Sequence, residues 1–499
     1  NQIALIMKLN YQRTILIGLA FLSVQMFWGF YEAIISKMLV DSFGLNPFWS
    51  NFVMTFDNLL GLFLLPFFGT LSDRSTSKLG KRTPFITIGI IVAAIFIVGV
   101  AVVDFYQQSA VVGAGILEIT QTGNQYSFAI AQELKDQIML IANSNERAFT
   151  VIGDVVYFTS KLDASFVRYT LVFEQVTMIS PLYLILYIAT LFIALISMSY
   201  YRTPAVSLMP DITPKPFRSV ANAIINLMGV LGYIVATLII NAATEEFTPY
   251  VRAFIMLSLS LVAMLVLFRF FVKEVAWVKD MHRISIEKGY ETEAEEQDRK
   301  DNVVTPFKKE YRLSFWLIMT SVFLWFFSFN AVTTKFTDYA SNVLELTNYV
   351  LPVTVANVAA LIGFLPLAAL ANKIGRRKTV LLGILMLASG TLAGSFLTVS
   401  TAWVVYLIMP IAGLGFAAIN VNSYPMIVEM SSGGNIGKYT GYYYTASMAA
   451  QIFTPLLSGA LMTSFGLGLL FPYATFFALA SFGTMYFVRH GEASKLKTE

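Results

Sequence analysis

Four charged side chains in long apolar stretches of this sequence are candidates for chemistry: Glu32, Asp57, Arg202 and Lys335. A charge inside a bilayer costs about 2.5–3.5 kcal/mol on insertion scales, so each one needs a compensating role. Glu32 shares a helical face with Gln25, Trp28 and Gly29. That stripe joins hydrogen-bonding groups to an aromatic plane, the pairing that the hydroxyls and C–H faces of a sugar require. Asp57, between Phe56 and Asn58, is suited to take up a proton, or to bind Na⁺ with neighbouring carbonyl and amide oxygens. A fixed ion pair with Arg202 is the plainer alternative. Arg202 can donate to hydroxyls or neutralise Asp57 or Glu32. It falls near the end of its apolar run, where snorkelling to the headgroups competes with that role, and snorkelling is the default for Lys335.

Neutral polar residues recur at helical spacing in other apolar runs: Asn222, Asn226 and Gly229; Asn330, Thr333 and Thr334; Asn420, Asn422 and Ser423; Tyr443, Ser447 and Gln451. From these, Asn330 and Gln451 are the preferred contacts to a polar solute, with Asn226 and Asn420 beside them. Hydrogen bonding between helices is the bland alternative and is common in membranes.

The elements that must position these residues follow from composition. Of 499 residues, 57% are hydrophobic and 13% charged, about half the charge of a soluble chain. Lipid accounts for the deficit, since a spanning helix needs about 20 mostly apolar residues. Such runs read as spans at 14–38, 50–71, 83–103, 180–201, 219–243, 250–272, 313–335, 347–371, 379–399, 402–425, 440–463 and 468–488. The fold class is therefore an all-α membrane protein of twelve transmembrane helices. Cysteine is absent, which excludes disulfides and thiolate chemistry. The two histidines, His282 and His490, lie in charged segments, which argues against a histidine proton relay or metal site. There is no nucleophile–base pair, metal cluster or phosphate-binding glycine loop. An enzyme, a cofactor and a nucleic-acid partner are not expected.

Basic residues orient the spans. Arg74, Lys78, Lys81 and Arg82 follow span 2, Lys215 and Arg218 follow span 4, and Lys373, Arg376, Arg377 and Lys378 follow span 8. The segment 241–249 carries Glu245 and Glu246 and no basic residue. Both termini are expected in the cytoplasm, with the chain in the cell membrane. The organisation reads as a cytoplasmic N-terminus (1–13), a six-helix half (14–272), a charged cytoplasmic linker (273–312, with Glu291, Glu293, Glu295, Glu296, Arg299 and Lys300), a second half (313–488) and a cytoplasmic tail (489–499). Residues 104–179 form a long outer loop with eight acidic and four basic residues. A variable surface insertion is the plain reading and a substrate-capturing cap the sharper one. No cleavable signal peptide is visible, and Met7 looks like a natural start.

The halves echo one another. Span 2 ends in Pro66-Phe-Phe-Gly69-Thr-Leu-Ser-Asp73-Arg74 before Gly80-Lys81-Arg82, and span 8 ends in Pro366-Leu-Ala-Ala-Leu-Ala-Asn372-Lys373 before Gly375-Arg376-Arg377. Such duplicated halves rock about a midplane site in transporters. Gly69, Asp73, Arg74, Gly80, Lys81 and Arg82 are expected to latch the halves by charge-assisted bonds to helix ends.

The run Gly69-x-x-x-Asp73-Arg74…Gly80-Lys81-Arg82 resembles the loop signature of the major facilitator superfamily. Continued through Thr83-Pro84-Phe85, it is similar to the glycoside–pentoside–hexuronide cation symporters and the sucrose transporters. Arg202-Thr-Pro204 through Pro210-Asp211 to Arg218-Ser-Val-Ala-Asn222 resembles the helix 4–5 segment of sucrose-transporter-like proteins, and Asn420-Val-Asn422-Ser423 and Ile436-Gly437-Lys438-Tyr439-Thr440-Gly441 resemble bacterial members. The likeness spans the chain except 104–179. It implies the major facilitator fold and import of a sugar, an α-glucoside such as sucrose or maltose, by H⁺ or Na⁺ symport, in a monomer. The sugar-binding arginine of plant sucrose transporters aligns with Val206; Arg202 lies one turn earlier on the same face. The paired helix 2 aspartates of melibiose-type symporters align with Gly61 and Leu65, one turn from Asp57. A proton-coupled exporter and a non-transporting sugar sensor are the alternatives that the superfamily fold allows.

Overall fold

The computed structural model describes residues 9–122, 125–144, 147, 149–243, 250–291, 309–346, 348, 351–431 and 435–492. Met7, Glu245, Glu246 and the linker residues Glu293, Glu295, Glu296, Arg299 and Lys300 lie outside them.

The first half contains α1 (Tyr11–Asp41), α2 (Pro47–Met54), α3 (Phe56–Asp73), α4 (Thr83–Gly113), α7 (Leu182–Ile212), α8 (Arg218–Ala243) and α9 (Val251–Phe271). Helices α2 and α3 form one span, broken at Thr55. Helix α10 (Glu274–Glu287) follows, and the second half contains α11 (Lys309–Asn342), α12 (Leu351–Ile374), α13 (Arg376–Gly394), α14 (Val405–Met430), α15 (Ile436–Phe465) and α16 (Leu470–Tyr486). Ten of these spans are long and apolar enough to cross a bilayer. The exceptions are α13, whose first turn is Arg376-Arg377-Lys378, and α15, which carries Tyr442, Tyr443, Tyr444 and Gln451.

The duplication read from the loops is a duplication of packing. In the first half α1 packs on α8 and α9, α4 on α7 and α9, and α3 on α7; in the second, α11 packs on α15 and α16, α13 on α14 and α16, and α12 on α14. Each pairing recurs six spans later. The halves meet where α3 packs on α15 and α8 on α12. Backbones touch there: a Cβ on Gly69 would lie 2.2 Å from the Gly437 carbonyl oxygen, and one on Gly441 would lie 2.4 Å from Pro66 Cα. Small residues at such crossings allow helices to approach in lipid.

Helix ends are closed in matching ways. Gly80 (φ +109°) and Gly375 (φ +99°) adopt left-handed backbone ahead of α4 and α13. Glu274, just past α9, accepts from the amides of Arg82 (2.9 Å) and Thr83 (2.8 Å). Glu492, just past α16, accepts from those of Arg376 (2.7 Å) and Arg377 (2.9 Å). A carboxylate at a helix N-terminus pairs with its free N–H groups and dipole. Burial pushes the Glu274 carboxyl above its ordinary range, and the bonds from Thr83 and Arg82 oppose that shift.

Residues 104–179 are a folded unit rather than a loop. Helix α4 continues to Gly113, and then β1 (Thr120–Thr122), β2 (Gln125–Ala129), β3 (Phe149–Ile152) and β4 (Val155–Phe158) form an antiparallel sheet in the order β1-β2-β4-β3. Helices α5 (Lys135–Ser144) and α6 (Lys161–Val172) cover it, around a core that includes Phe128, Phe158, Ile138, Val167 and Leu171. Buried Arg168 of α6 donates to the carbonyls of Leu117 (2.8 Å) and Asp41 (2.9 Å), and Thr177 donates to that of Phe43 (2.8 Å). The bonds to Asp41 and Phe43 tie the inserted domain to the end of the bundle opposite the basic loops.

His282 is buried against Glu291, 3.1 Å away, in α10 and its following turn, outside the spans. Arg13 at the start of α1 pairs with Asp280 of α10 at 3.0 Å and lies over Trp277.

Candidate functional site

Three of the four candidate charges, Glu32, Asp57 and Arg202, lie within reach of one another. Helix α7 continues through Pro204 and Pro210 to Ile212, so Arg202 lies about 15 Å in from the helix end. At that position the guanidinium lies among the helices rather than at the helix end, where the alternative of snorkelling would put it. Its guanidinium carbon is 5.4 Å from the ring of Trp28 on α1 and 5.1 Å from that of Tyr444 on α15. An arginine between two aromatic faces is attracted by both rings. Because Tyr444 belongs to the second half, Arg202 links the halves.

Glu32 and Asp57 lie within electrostatic reach of Arg202 and of each other. No ion pair within 4 Å joins the three among the described residues. Glu32 instead accepts from the Tyr233 hydroxyl of α8 at 3.2 Å. Asp57 is in the first turn of α3, just past the break at Thr55, where the Met54 carbonyl accepts from the Tyr31 hydroxyl at 3.4 Å. The direct Asp57–Arg202 pair is not formed. Instead Asp57 Oδ1, Asn58 Oδ1, Arg202 Nε, Trp28 Nε1 and, from the second half, Asn330 Nδ2 are buried without hydrogen-bond partners. A buried polar atom left unpaired costs about 1–3 kcal/mol, so each of these is a marked feature. Asp57 Oδ1 and Asn58 Oδ1 are both acceptors, and of the two only the Asp57 carboxylate can take up a proton.

Other candidates are committed differently. Asn226 donates to the Asn222 carbonyl of its own helix at 2.8 Å. Asn222 crosses between halves, donating to the carbonyls of Asn420 (3.2 Å) and Val421 (3.1 Å) on α14. Gln25 packs its methylenes where α1 crosses Gly229 and Gly232 of α8. Gln451 donates to Ser447 at 3.2 Å. Tyr443 meets Ser423 at 2.9 Å in a buried pair, which leaves Tyr444, one position on, facing Arg202. Lys335 pairs with Asp338 at 3.7 Å on α11.

At the basic-loop end, Asp73 joins both halves. Its Oδ1 accepts from the Gly437 amide (2.9 Å) and the Arg82 guanidinium (2.6 Å), and its Oδ2 accepts from the Lys438 amide (2.8 Å) at the start of α15. Arg82 is fully buried and also binds Asp211 at 2.7 Å and Ser72. Burial alone would lower the Arg82 pKa, but Asp211 and Asp73 carry it above its ordinary value, so the guanidinium stays charged. A Cβ on Gly80 would strike the Glu274 carboxylate. Arg74 is exposed past the end of α3. A second cluster was not foreseen: Glu429 at the end of α14 pairs with Arg376 (3.0 Å) and Arg218 (3.4 Å), and Arg376 reaches across to Ser219 (3.1 Å) and the Lys215 carbonyl (2.5 Å) of the first half. Sequence signalled its basic members, but Glu429 carries no motif.

The family described as Major Facilitator Superfamily matches residues 165–364 and 347–499, and the family described as MFS/sugar transport protein matches residues 16–129. No curated protein matches the chain. Among solved structures, a bacterial homologue of the iron transporter ferroportin in an outward-facing state is 12% identical, with a TM-score of 0.65 over 96% of this chain and 99% of that one. A proton:xylose symporter bound to 6-bromo-6-deoxy-D-glucose is 16% identical, with a TM-score of 0.63 over 98% of each chain. At these identities the likeness is one of fold.

Proposed function

The chain belongs to the major facilitator superfamily, a family of transporters rather than enzymes, and from that membership we propose that it imports a sugar by symport with H⁺ or Na⁺. The sugar is an α-glucoside such as sucrose or maltose. The chain works in the cell membrane with both termini and the basic loops in the cytoplasm.

One observation carries this reading: buried donors and acceptors of the first half lack partners beside aromatic rings from both halves. Trp28 Nε1 and Arg202 Nε are donors, and Asp57 Oδ1 is an acceptor; the rings are those of Trp28 and Tyr444. Sugar hydroxyls donate and accept, and the faces of Trp28 and Tyr444 suit the C–H surface. The match of residues 16–129 to a sugar-transport family supports the same class.

Coupling follows from charge. Two carboxylates face one guanidinium, so the cleft carries one net negative charge when all three are ionised. An uncompensated charge opposes closure in a desolvated site. One monovalent cation at Asp57 neutralises the cleft, the sugar satisfies the remaining polar atoms, and the halves rock. A membrane potential supplies about 2.3 kcal/mol per charge per 100 mV.

The test is uptake of radiolabelled mono- and disaccharides into proteoliposomes under an imposed proton or sodium gradient. Accumulation of one sugar, lost when one gradient is collapsed and in Asp57→Asn, is the expected result. Absence of uptake under both gradients, in vesicles shown to hold folded protein, would overturn the proposal.

A further inference from the structure

Where the inserted domain joins the spans, a buried acid has no basic partner. Asp104 lies on α4, about 30 Å along the helix from Thr83. That length is close to the thickness of a hydrocarbon core, so Asp104 stands near the bilayer boundary at the end opposite the basic loops. It is 1% exposed, and Gln107 is fully buried. Residues three apart share a helical face.

Both side chains are fixed around Ser42, just past α1. Gln107 Nε2 donates to the Ser42 carbonyl and to the Thr177 hydroxyl, each at 3.0 Å. Gln108 Nε2 donates to Asp104 Oδ2 at 2.7 Å and to Ser42 Oγ at 3.2 Å. The Ser42 side chain also faces the Asp104 carboxylate. Thr177 closes the turn Phe173–Thr177 that leaves the inserted domain. The ends of α1 and α4 and the exit of the inserted domain therefore meet in one network. A carbonyl only accepts, so the Gln107 amide has its Nε2 toward Ser42 and its Oε1 turned away.

Two acceptors are left over: Asp104 Oδ1 and Gln107 Oε1 are buried without hydrogen-bond partners. Asp104 forms no ion pair among the described residues. The charged group acting on it is a second carboxylate, Asp41. Tyr187 of α7 and Tyr250 ahead of α9 face it with phenol hydroxyls. The nearby cation, Arg168, senses Asp41 and Glu118, and its guanidinium bonds the carbonyls of Leu117 and Asp41. An ionised Asp104 is thus a buried charge beside a like charge, which is costly. A water molecule donates to both acceptors but leaves that charge in place. A proton removes the charge and turns one acceptor into a donor.

We propose that Asp104 is a proton-binding site that fastens the inserted domain to the spans. The proton sits on Oδ1, and the acid donates to Gln107 Oε1. Loss of the proton strips both acceptors of their donor, sets Asp104 against Asp41 and loosens the network around Ser42. The site shares no residue with the cluster around Arg202, so its proton is separate from any cation at Asp57.

The test is hydrogen–deuterium exchange of the full chain in nanodiscs, read at residues 41–45 and 173–177 from mildly acid to mildly alkaline pH. Asp104→Asn places a permanent N–H donor where the acid carries its proton. As the reference at each pH, it cancels the intrinsic pH dependence of exchange. Parent and variant match at acid pH. At alkaline pH the parent exchanges faster by about tenfold, as a buried acceptor losing its donor implies. Asp41→Asn removes the like charge and moves the transition of the parent to lower pH. This shift is read against the parent and does not depend on the folding of Asp104→Asn. Exchanging Na⁺ for choline leaves the profile unchanged. A parent-to-variant ratio independent of pH, a transition that Asp41→Asn does not move, or protection that follows Na⁺ rather than pH would overturn the proposal.

Discussion

Replacing Asp73 by alanine tests whether the contacts at the basic-loop end govern which way the cleft faces. Only interactions that differ between two states shift the equilibrium between them. Asp73 makes two bonds that cross between halves, to the amides of Gly437 (2.9 Å) and Lys438 (2.8 Å), and one within its own half, to Arg82. Hydrogen bonds to a charged group contribute about 1.5–3 kcal/mol each. The two crossing bonds therefore amount to about 3 kcal/mol at the low end, a shift of roughly 150-fold. A population of 99:1 with this end closed would move close to parity. Asp211→Asn is the control, since its bond to Arg82 lies wholly within the first half. The chain has no cysteine, so Lys37→Cys with Asp338→Cys, both exposed near the opposite end, can be spin-labelled without background. Electron–electron distance measurements are expected to show a second, shorter distance in Asp73→Ala and a nearly unchanged distribution in Asp211→Asn. An unchanged distribution in Asp73→Ala, or an equal shift in both variants, would refute the reasoning.

Three further outcomes follow from the geometry. Gly69→Val puts side-chain carbon where the Gly437 carbonyl oxygen lies 2.2 Å from the Cβ position; the same distance measurement should report loss of the closed state, and transport should fall at least about tenfold, because backbone at this crossing cannot yield. Arg202→Lys keeps the charge but loses the planar fork held between Trp28 and Tyr444; uptake should show KM raised by roughly tenfold or more, with unfolding temperature little changed. Glu492→Gln removes the charge that caps α13 at the amides of Arg376 and Arg377; thermal unfolding should reveal a loss of about 1 kcal/mol, diminished at high salt if the helix dipole is the cause.

Most of the scaffold was legible before any coordinates, because solvation by lipid is a local property of about 20 consecutive residues. Even so, α7 runs to Ile212 rather than ending near 201. Tertiary packing carries Arg202 and the polar turn that follows inside the helix, where hydropathy alone would end the span. The inserted sheet was illegible for a different reason. Its strands are three to five residues long, and the central pairing, β2 with β4, joins segments some thirty residues apart, as in Tyr126 with Phe158.

Sequence by itself determined that Glu32, Asp57 and Arg202 needed partners, since the cost of a charge in lipid attaches to the residue. It also marked Gly69, Asp73, Gly80 and Arg82 through their spacing. Only the tertiary structure decided which groups meet. Helical periodicity put Tyr443 with Ser447 and Gln451, yet Tyr443 bonds Ser423 and its neighbour Tyr444 faces Arg202. Asn226 looked like a cavity residue and is bonded to its own helix. Such choices depend on the rotation of one helix against another, set by close packing of residues hundreds of positions apart, and periodicity within a single helix carries no record of it.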